Sequence, residues 1–200
     1  MSGEGIGIIL LAAGNSSRMG RAKQLLPHGG STLLRHAAKT ALATELGPVI
    51  VVLGAEAQAC CLTLQGMDVE MVLNEEWEQG MGTSIHAGIM ELERHAPDVA
   101  GALILLHDQP AITAPRLREL VAARAPDDVA VASVYGDAVG VPAFFAHELF
   151  GELRALHGAA GARGVLDRHA ARVRRFAMPE ARFDIDTPAD YERLRKDGTG

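Results

Sequence analysis

A chain of 200 residues that is 48% hydrophobic can bury a sizeable core and is too apolar for a disordered protein. Its 25 acidic against 19 basic residues give a net charge of −6, which disfavours a general nucleic-acid or membrane-surface binder. The longest apolar runs fall far short of the ~18–20 residues of a membrane span, and the N-terminus lacks the pattern of a signal peptide.

Along the chain, short β-branched or aliphatic runs alternate with segments of helical spacing. Ile6–Leu11, Val49–Leu53, Val69–Leu73, Ala102–Leu106, Val129–Val134 and Val139–Phe145 read as strands, several of them buried on both faces. Thr32–Glu45, Glu56–Leu64, Thr83–His95 and Thr113–Ala123 read as helices, with Glu148–Leu156 and Gly164–Ala171 as shorter ones. Ser31 or Thr32 could cap the first helix. A last helix starts near Pro188, with Thr187 as N-cap and Asp190 three residues on. This alternation predicts a three-layer α/β/α, Rossmann-like fold with a mainly parallel sheet. Residues 1–196 are expected to form one domain and 197–200 a disordered tail. Cys60 and Cys61 are adjacent, and consecutive Cα atoms, ~3.8 Å apart, are closer than the usual ~4.4–6.8 Å of a disulfide. A reduced, cytoplasmic protein is therefore expected.

Parallel sheets of this kind bind ligands beyond the carboxyl ends of their strands. The first strand feeds Ala12-Ala13-Gly14-Asn15-Ser16-Ser17-Arg18-Met19-Gly20-Arg21-Ala22-Lys23, a small-residue loop with three cations. Small residues let a phosphate approach backbone N–H groups, and arginine and lysine neutralise it. Residues 5–44 hold no Asp or Glu, although 25 acids in 200 residues would place about five in forty positions. A locally positive mouth on an acidic protein suits a polyanionic small molecule. The spacing departs from a P-loop, since Gly20 precedes Arg21 rather than Lys-Ser/Thr, and from a dinucleotide fingerprint. The residues alone leave open an ordinary strand–loop–helix turn with solvated cations.

Asp108 follows the strand Gly101–Leu106, and Asp186 lies just before a capped helix. Two carboxylates converging from distant segments could hold Mg²⁺, which takes only one or two protein carboxylates and keeps several waters. Each could instead serve its own local turn. Asp184 alternates with Asp186 and is a supporting candidate.

The stretch LAAGNSSRMGRAKQLLP, residues 11–27, resembles the signature of the molybdenum cofactor cytidylyltransferase family, within the MobA-like NTP transferase superfamily. The resemblance continues through Asn74–Ile85, His107-Asp108-Gln109-Pro110 and Asp184–Tyr191, and more weakly through Gly140–Phe145 and Gly161-Ala162-Arg163. It implies a fold of the nucleotide-diphospho-sugar-transferase type. It also implies transfer of CMP from CTP to the phosphate of the molybdenum–molybdopterin cofactor, with release of pyrophosphate and with Mg²⁺ as cofactor. Arg18, Lys23 and Asp108 would be catalytic, and Asp108 and Asp186 would hold the metal. Leu11, Ala12, Ala13, Gly14, Asn15, Ser16, Ser17, Arg18, Lys23, Asn74, Gly80, Met81, Ser84 and Asp108 would bind the nucleotide. A molybdenum hydroxylase would receive the product, with neither nucleic acid nor membrane as partner. Leu-Ala-Ala-Gly at 11–14 accompanies cytidine enzymes in that family, where Leu-Ala-Gly-Gly accompanies guanosine ones; methyl groups at Ala12 and Ala13 would narrow the room beside the base. The acceptor side departs from the pattern at Val141 and Ala160. Alternatives are a guanylyl enzyme of the same family, a cytidylyltransferase of another small phosphate, and a non-catalytic cofactor-binding accessory protein.

Other features invite weaker readings. Gly82-Thr83-Ser84-Ile85-His86 lacks the final glycine of a nucleophile elbow, and groups at i and i+2 of one helix point apart. His147-Glu148 begins a zincin motif that fails at Gly151. Arg172, Arg174 and Arg175 read as a solvated strand, and Trp77 as either core or pocket wall.

Overall fold

The structure is a computed structural model that describes residues 5–197. Seven strands form the main sheet: β1 (Ile6–Ala12), β4 (Val49–Leu53), β5 (Glu70–Leu73), β6 (Gly101–Leu106), β7 (Ala130–Tyr135), β8 (Ala138–Ala146) and β9 (Val173–Ala177), in the order β5-β4-β1-β6-β8-β7-β9. A two-stranded hairpin, β2 (Pro27–His28) with β3 (Ser31–Thr32), stands apart from it. β8 pairs antiparallel with both β6 and β7, and the other pairings of the main sheet are parallel. The fold is thus the expected three-layer α/β/α arrangement around a mainly parallel sheet.

The central strands are apolar on both faces because helices cover both. Ile9, Leu11, Ile50, Val52 and Ile104 point into one core layer, roofed by α3 (Met81–His95), α5 (Phe150–Arg154) and α6 (Arg163–Arg168). Their alternating neighbours Ile8, Leu10, Val49, Val51 and Leu103 point into the other, with α1 (Leu33–Leu42), α2 (Ala57–Leu64) and α4 (Ala114–Ala122). Each such residue is fully or almost fully buried, worth about 1.5–3 kcal/mol per Val, Leu or Ile side chain taken from water. Gly88 lets α3 lie directly on β1, since a Cβ there would meet Ile9 Cγ2 at 2.5 Å.

A third, smaller cluster bears on the site. Met19, Leu26, Leu33, Ile185 and Tyr191 pack together, joining the loop after β1 to the segment before α7 (Pro188–Asp197). Tyr191 Oη donates to the Pro27 carbonyl at 2.7 Å. Of the two cap candidates for α1, Thr32 Oγ1 accepts from the Arg35 N–H at 3.2 Å. At α7 the Asp190 carboxylate accepts from the Thr187 N–H at 2.9 Å and Thr187 Oγ1 from the Asp190 N–H at 3.3 Å, the reciprocal capping expected there. α7 runs through Asp197, and residues 198–200 of the expected tail lie outside the described residues.

Several boundaries differ from the sequence reading. Glu148–Leu156 and Gly164–Ala171 each contain only a short α-helix, flanked by 3₁₀ turns at His147–Leu149 and Ala170–Arg172. The arginine cluster does lie on a solvated strand and its approach: β9 is an edge, with Arg174 paired to Asp128 and Arg172 to Glu148. Edge strands carrying charge resist pairing with another chain.

Candidate active site

The carboxyl ends of β1 and β6 lie side by side, with Leu11 in register with Leu106. The loop after β1, the His107-Asp108 corner after β6, the start of α3 and the segment before α7 therefore converge. They enclose a cleft of about 300 Å³.

At its mouth four charged side chains meet. Lys23 Nζ lies 2.6 Å from Asp108 Oδ2 and 2.8 Å from Asp186 Oδ1, and Arg18 reaches Asp186 Oδ2 at 2.7 Å. The backbone aligns the two carboxylates, because the Ile185 N–H donates to the Asp108 carbonyl at 2.9 Å. Burial works against the charge on Lys23, but the adjacent Asp108 and Asp186 outweigh it and hold its pKa above the ordinary value. Burial likewise opposes ionisation of Asp108, yet His107 and the Lys23 ammonium beside it hold its carboxyl below the usual range. Asp108 Oδ1 is buried without a hydrogen-bond partner. Arg18 is largely solvent-exposed, with 71% of its side chain accessible.

Where β1 passes into its loop, the carbonyls of residues 11–14 are all engaged. The Leu11 oxygen is 3.1 Å from His107 Nδ1, and the Ala13 oxygen accepts from the Ala55 N–H at 2.9 Å. The Ala12 and Gly14 oxygens both accept from Gln24 Nε2, at 2.9 and 2.6 Å. Ser16, in the left-handed region at φ 56°, places its hydroxyl to accept the Lys23 N–H at 3.1 Å and to donate to Gln24 Oε1 at 3.4 Å. Among the described residues, none of the N–H groups of residues 14–18 is taken up by a protein acceptor. A run of free donors beside two cations suits an anion.

Of the residues expected to bind the nucleotide, all but Ala12 and Asn74 line the cleft, and the catalytic and metal-binding candidates Arg18, Lys23, Asp108 and Asp186 all do. The Ala12 methyl belongs to the core layer under α1, on the opposite face of the sheet from Ala13. Asn74 is buried behind the wall, where its Nδ2 donates to Thr83 Oγ1 at 2.9 Å and Ser84 Oγ at 3.0 Å and so sets the start of α3. Gly80 enters that helix at φ 125°, and a Cβ there would come within 2.5 Å of the Gly158 carbonyl oxygen, so only glycine fits. The serine-hydrolase pattern is not assembled, since Ser84 is engaged by Asn74 while His86 Nδ1 turns to the Arg154 carbonyl at 2.6 Å. Asp184 is exposed and lines no part of the cleft.

Trp77 is pocket wall as well as packing on the core, and Leu106 and His107 also line the cleft. His107 is buried, which lowers its pKa, and its Nε2 has no partner. Gln24 is fully buried and was not expected at the site. An amide beside Lys23 carries no charge or period to mark it, so only the folded loop reveals what it holds.

The model of the MobA-like NTP transferase domain matches residues 8–173, spanning every element that builds the cleft except the segment carrying Asp186. The chain belongs to the MobA-like NTP transferase family. Over 94% of its length it is 33% identical to the purine catabolism protein PucB of Bacillus subtilis, covering 95% of that protein. It is 36% identical to the nicotine blue oxidoreductase of Paenarthrobacter nicotinovorans over 62% of this chain and 60% of that one. Among solved structures, Rv0371c of Mycobacterium tuberculosis superposes with a TM-score of 0.82 at 30% identity, covering 98% of this chain and 100% of that one. A manganese complex of Rv0371c superposes with a TM-score of 0.79. The comparisons reach the family as a whole and not the narrower cytidylyl, molybdenum-specific branch.

The residues fit a divalent cation bound together with phosphates. No group of three or more His, Cys, Asp or Glu side chains able to hold a metal occurs among the described residues. Two carboxylates nonetheless converge closely enough to share one ammonium, and Asp108 keeps an unpartnered buried oxygen. Mg²⁺ needs no more from a protein when substrate phosphates complete its shell.

Proposed function

We propose that the protein transfers CMP from CTP to the phosphate of a molybdopterin-type acceptor carrying molybdenum, releasing pyrophosphate. The observation that carries this reading is the Lys23 ammonium set between Asp108 and Asp186 beside the cradle of free N–H groups. The family supports nucleotidyl transfer; the choice of cytidine and of acceptor rests on the resemblance of the first loop.

In this reading an acceptor phosphate oxygen bonds to the α-phosphorus as the bond from that phosphorus to the bridging oxygen breaks. The N–H groups of residues 14–18 bind the β- and γ-phosphates. Lys23 and Arg18 stabilise charge on the α-phosphate and the departing pyrophosphate, and such transfer needs positioning and charge neutralisation more than covalent catalysis. Mg²⁺ held by Asp108 and Asp186 would supply further neutralisation of the triphosphate. An anionic phosphate nucleophile needs no general base. Gly80, Met81 and Ser84 would border the base and ribose, and a molybdenum hydroxylase would take up the product.

The test is pyrophosphate release with CTP or GTP, Mg²⁺ and the molybdenum-loaded acceptor. Release with CTP well above GTP is expected. A preference for GTP would reassign the protein to guanylyl transfer. Cofactor binding without release from any nucleotide would make it an accessory protein instead.

A further inference from the structure

We propose that Gln24 is the positioning residue of the phosphate cradle: its amide holds the Ala12 and Gly14 carbonyls inward so that the N–H groups of residues 14–18 stay available to the ligand. This deepens the nucleotidyltransferase reading and rests on it.

Every polar atom of the Gln24 side chain is spent on one loop. Its Nε2 donates to the carbonyls of Ala12 and Gly14, at 2.9 and 2.6 Å, and its Oε1 accepts from Ser16 Oγ at 3.4 Å. The side chain is wholly inaccessible to solvent, so these bonds have no competition from water. A carbonyl rotated towards the cleft would set a partial negative charge against a triphosphate. With Leu11 tied to His107 and Ala13 to Ala55, the carbonyls of residues 11–14 are all fastened, two of them by Gln24. Ser16 adds a link, since its hydroxyl receives the Lys23 N–H and bonds Gln24. Gln24 therefore fixes both the cradle and the backbone from which Lys23 extends, without itself lining the cleft.

Two near-isosteric substitutions isolate the role. Gln24→Met removes both donors and keeps the volume. Gln24→Glu sets oxygens against two carbonyl oxygens. Pyrophosphate affinity, measured by calorimetry with Mg²⁺, should fall at least tenfold in Gln24→Met and further in Gln24→Glu. In turnover, KM for CTP should rise at least tenfold, while KM for the acceptor stays within twofold. A residue that served only stability would lower the folded fraction, and with it kcat, and leave both KM values in place; that result, or unchanged pyrophosphate affinity in Gln24→Met, overturns the proposal. Circular dichroism identifies a variant that fails to fold. If Gln24→Glu is lost in that way, Gln24→Met decides alone, and loss of folding in both would make Gln24 a stability residue and overturn the proposal too. Wild-type protein that binds pyrophosphate but transfers no nucleotide would remove the proposed function and leave the calorimetric test of Gln24 standing. Failure of the wild type to bind pyrophosphate removes both.

Discussion

Lys23 donates to Asp108 at 2.6 Å from a point where it also touches Asp186, so one ammonium bridges the two carboxylates that would hold a metal. Without nucleotide, a divalent ion must compete with this internal cation. With nucleotide, the triphosphate offers the lysine another anion.

The first prediction follows from that competition. Lys23→Ala should bind Mn²⁺ alone, followed by electron paramagnetic resonance, on the order of tenfold more tightly than wild type, because a like charge a few ångströms from the ion is removed. Its turnover should fall sharply. Lys23→Arg should keep partial activity, since it retains charge but changes reach and donor geometry. Arg18→Ala should cost less than Lys23→Ala, as Arg18 is exposed. Mn²⁺ affinity unchanged in Lys23→Ala would refute the competition.

Asp108→Ala should abolish pyrophosphate release, by ~10³-fold or more, while the protein stays folded. Folding is expected to survive because Lys23 keeps Asp186 as its partner. Near wild-type release from a folded mutant, judged by circular dichroism, would take Asp108 out of the metal site.

Base choice separates the two alanines of the first loop. Ala13 lines the cleft, whereas the Ala12 methyl is buried on the other side of the sheet. Ala13→Gly should move the CTP:GTP ratio of kcat/KM towards GTP, towards the lower end of the ~10–200-fold that shape discrimination supplies. Ala12→Gly should leave the ratio alone and cost roughly 0.5–1 kcal/mol of stability. Equal shifts from both would defeat this division of labour.

The two cysteines should differ in reactivity. Burial, with Cys61 and Glu56 nearby, pushes the Cys60 thiol up to about 11. At pH 8 only about one Cys60 in a thousand is then thiolate, the reactive form, and deprotonation sets in only as pH climbs towards the shifted pKa. A colorimetric thiol titration of native protein at pH 8 should register Cys61 first and Cys60 only on unfolding. Rapid reaction of both thiols in folded protein would contradict the buried placement.

Much of the fold was legible because it is written in periodicity. Val49–Leu53 and Gly101–Leu106 have no polar residue to interrupt them, as a strand covered on both faces requires. The direction of β8 was not legible, since a buried run looks the same whichever way it pairs. β2 and β3, of two residues each, are too short to carry a period. At the site, the charged residues stood out against an acid-free stretch, and the structure brings Arg18, Lys23, Asp108 and Asp186 together. Gln24 did not stand out, because burial of a neutral amide is decided by the path of the loop around it. The loop's sequence alone puts Ala12 in the cleft beside Ala13, but successive side chains of a strand leave on opposite faces.

The reversal of β8 has a consequence for how such an enzyme could diversify. β7 runs parallel to the strands that carry the site and hands over to β8 by a tight turn at Gly136, where φ is 60°. That hairpin tip therefore emerges at the same end of the sheet as Asp108, yet it shares no backbone with the cradle. Lengthening the tip would change that end of the sheet without altering the backbone of the loop after β1.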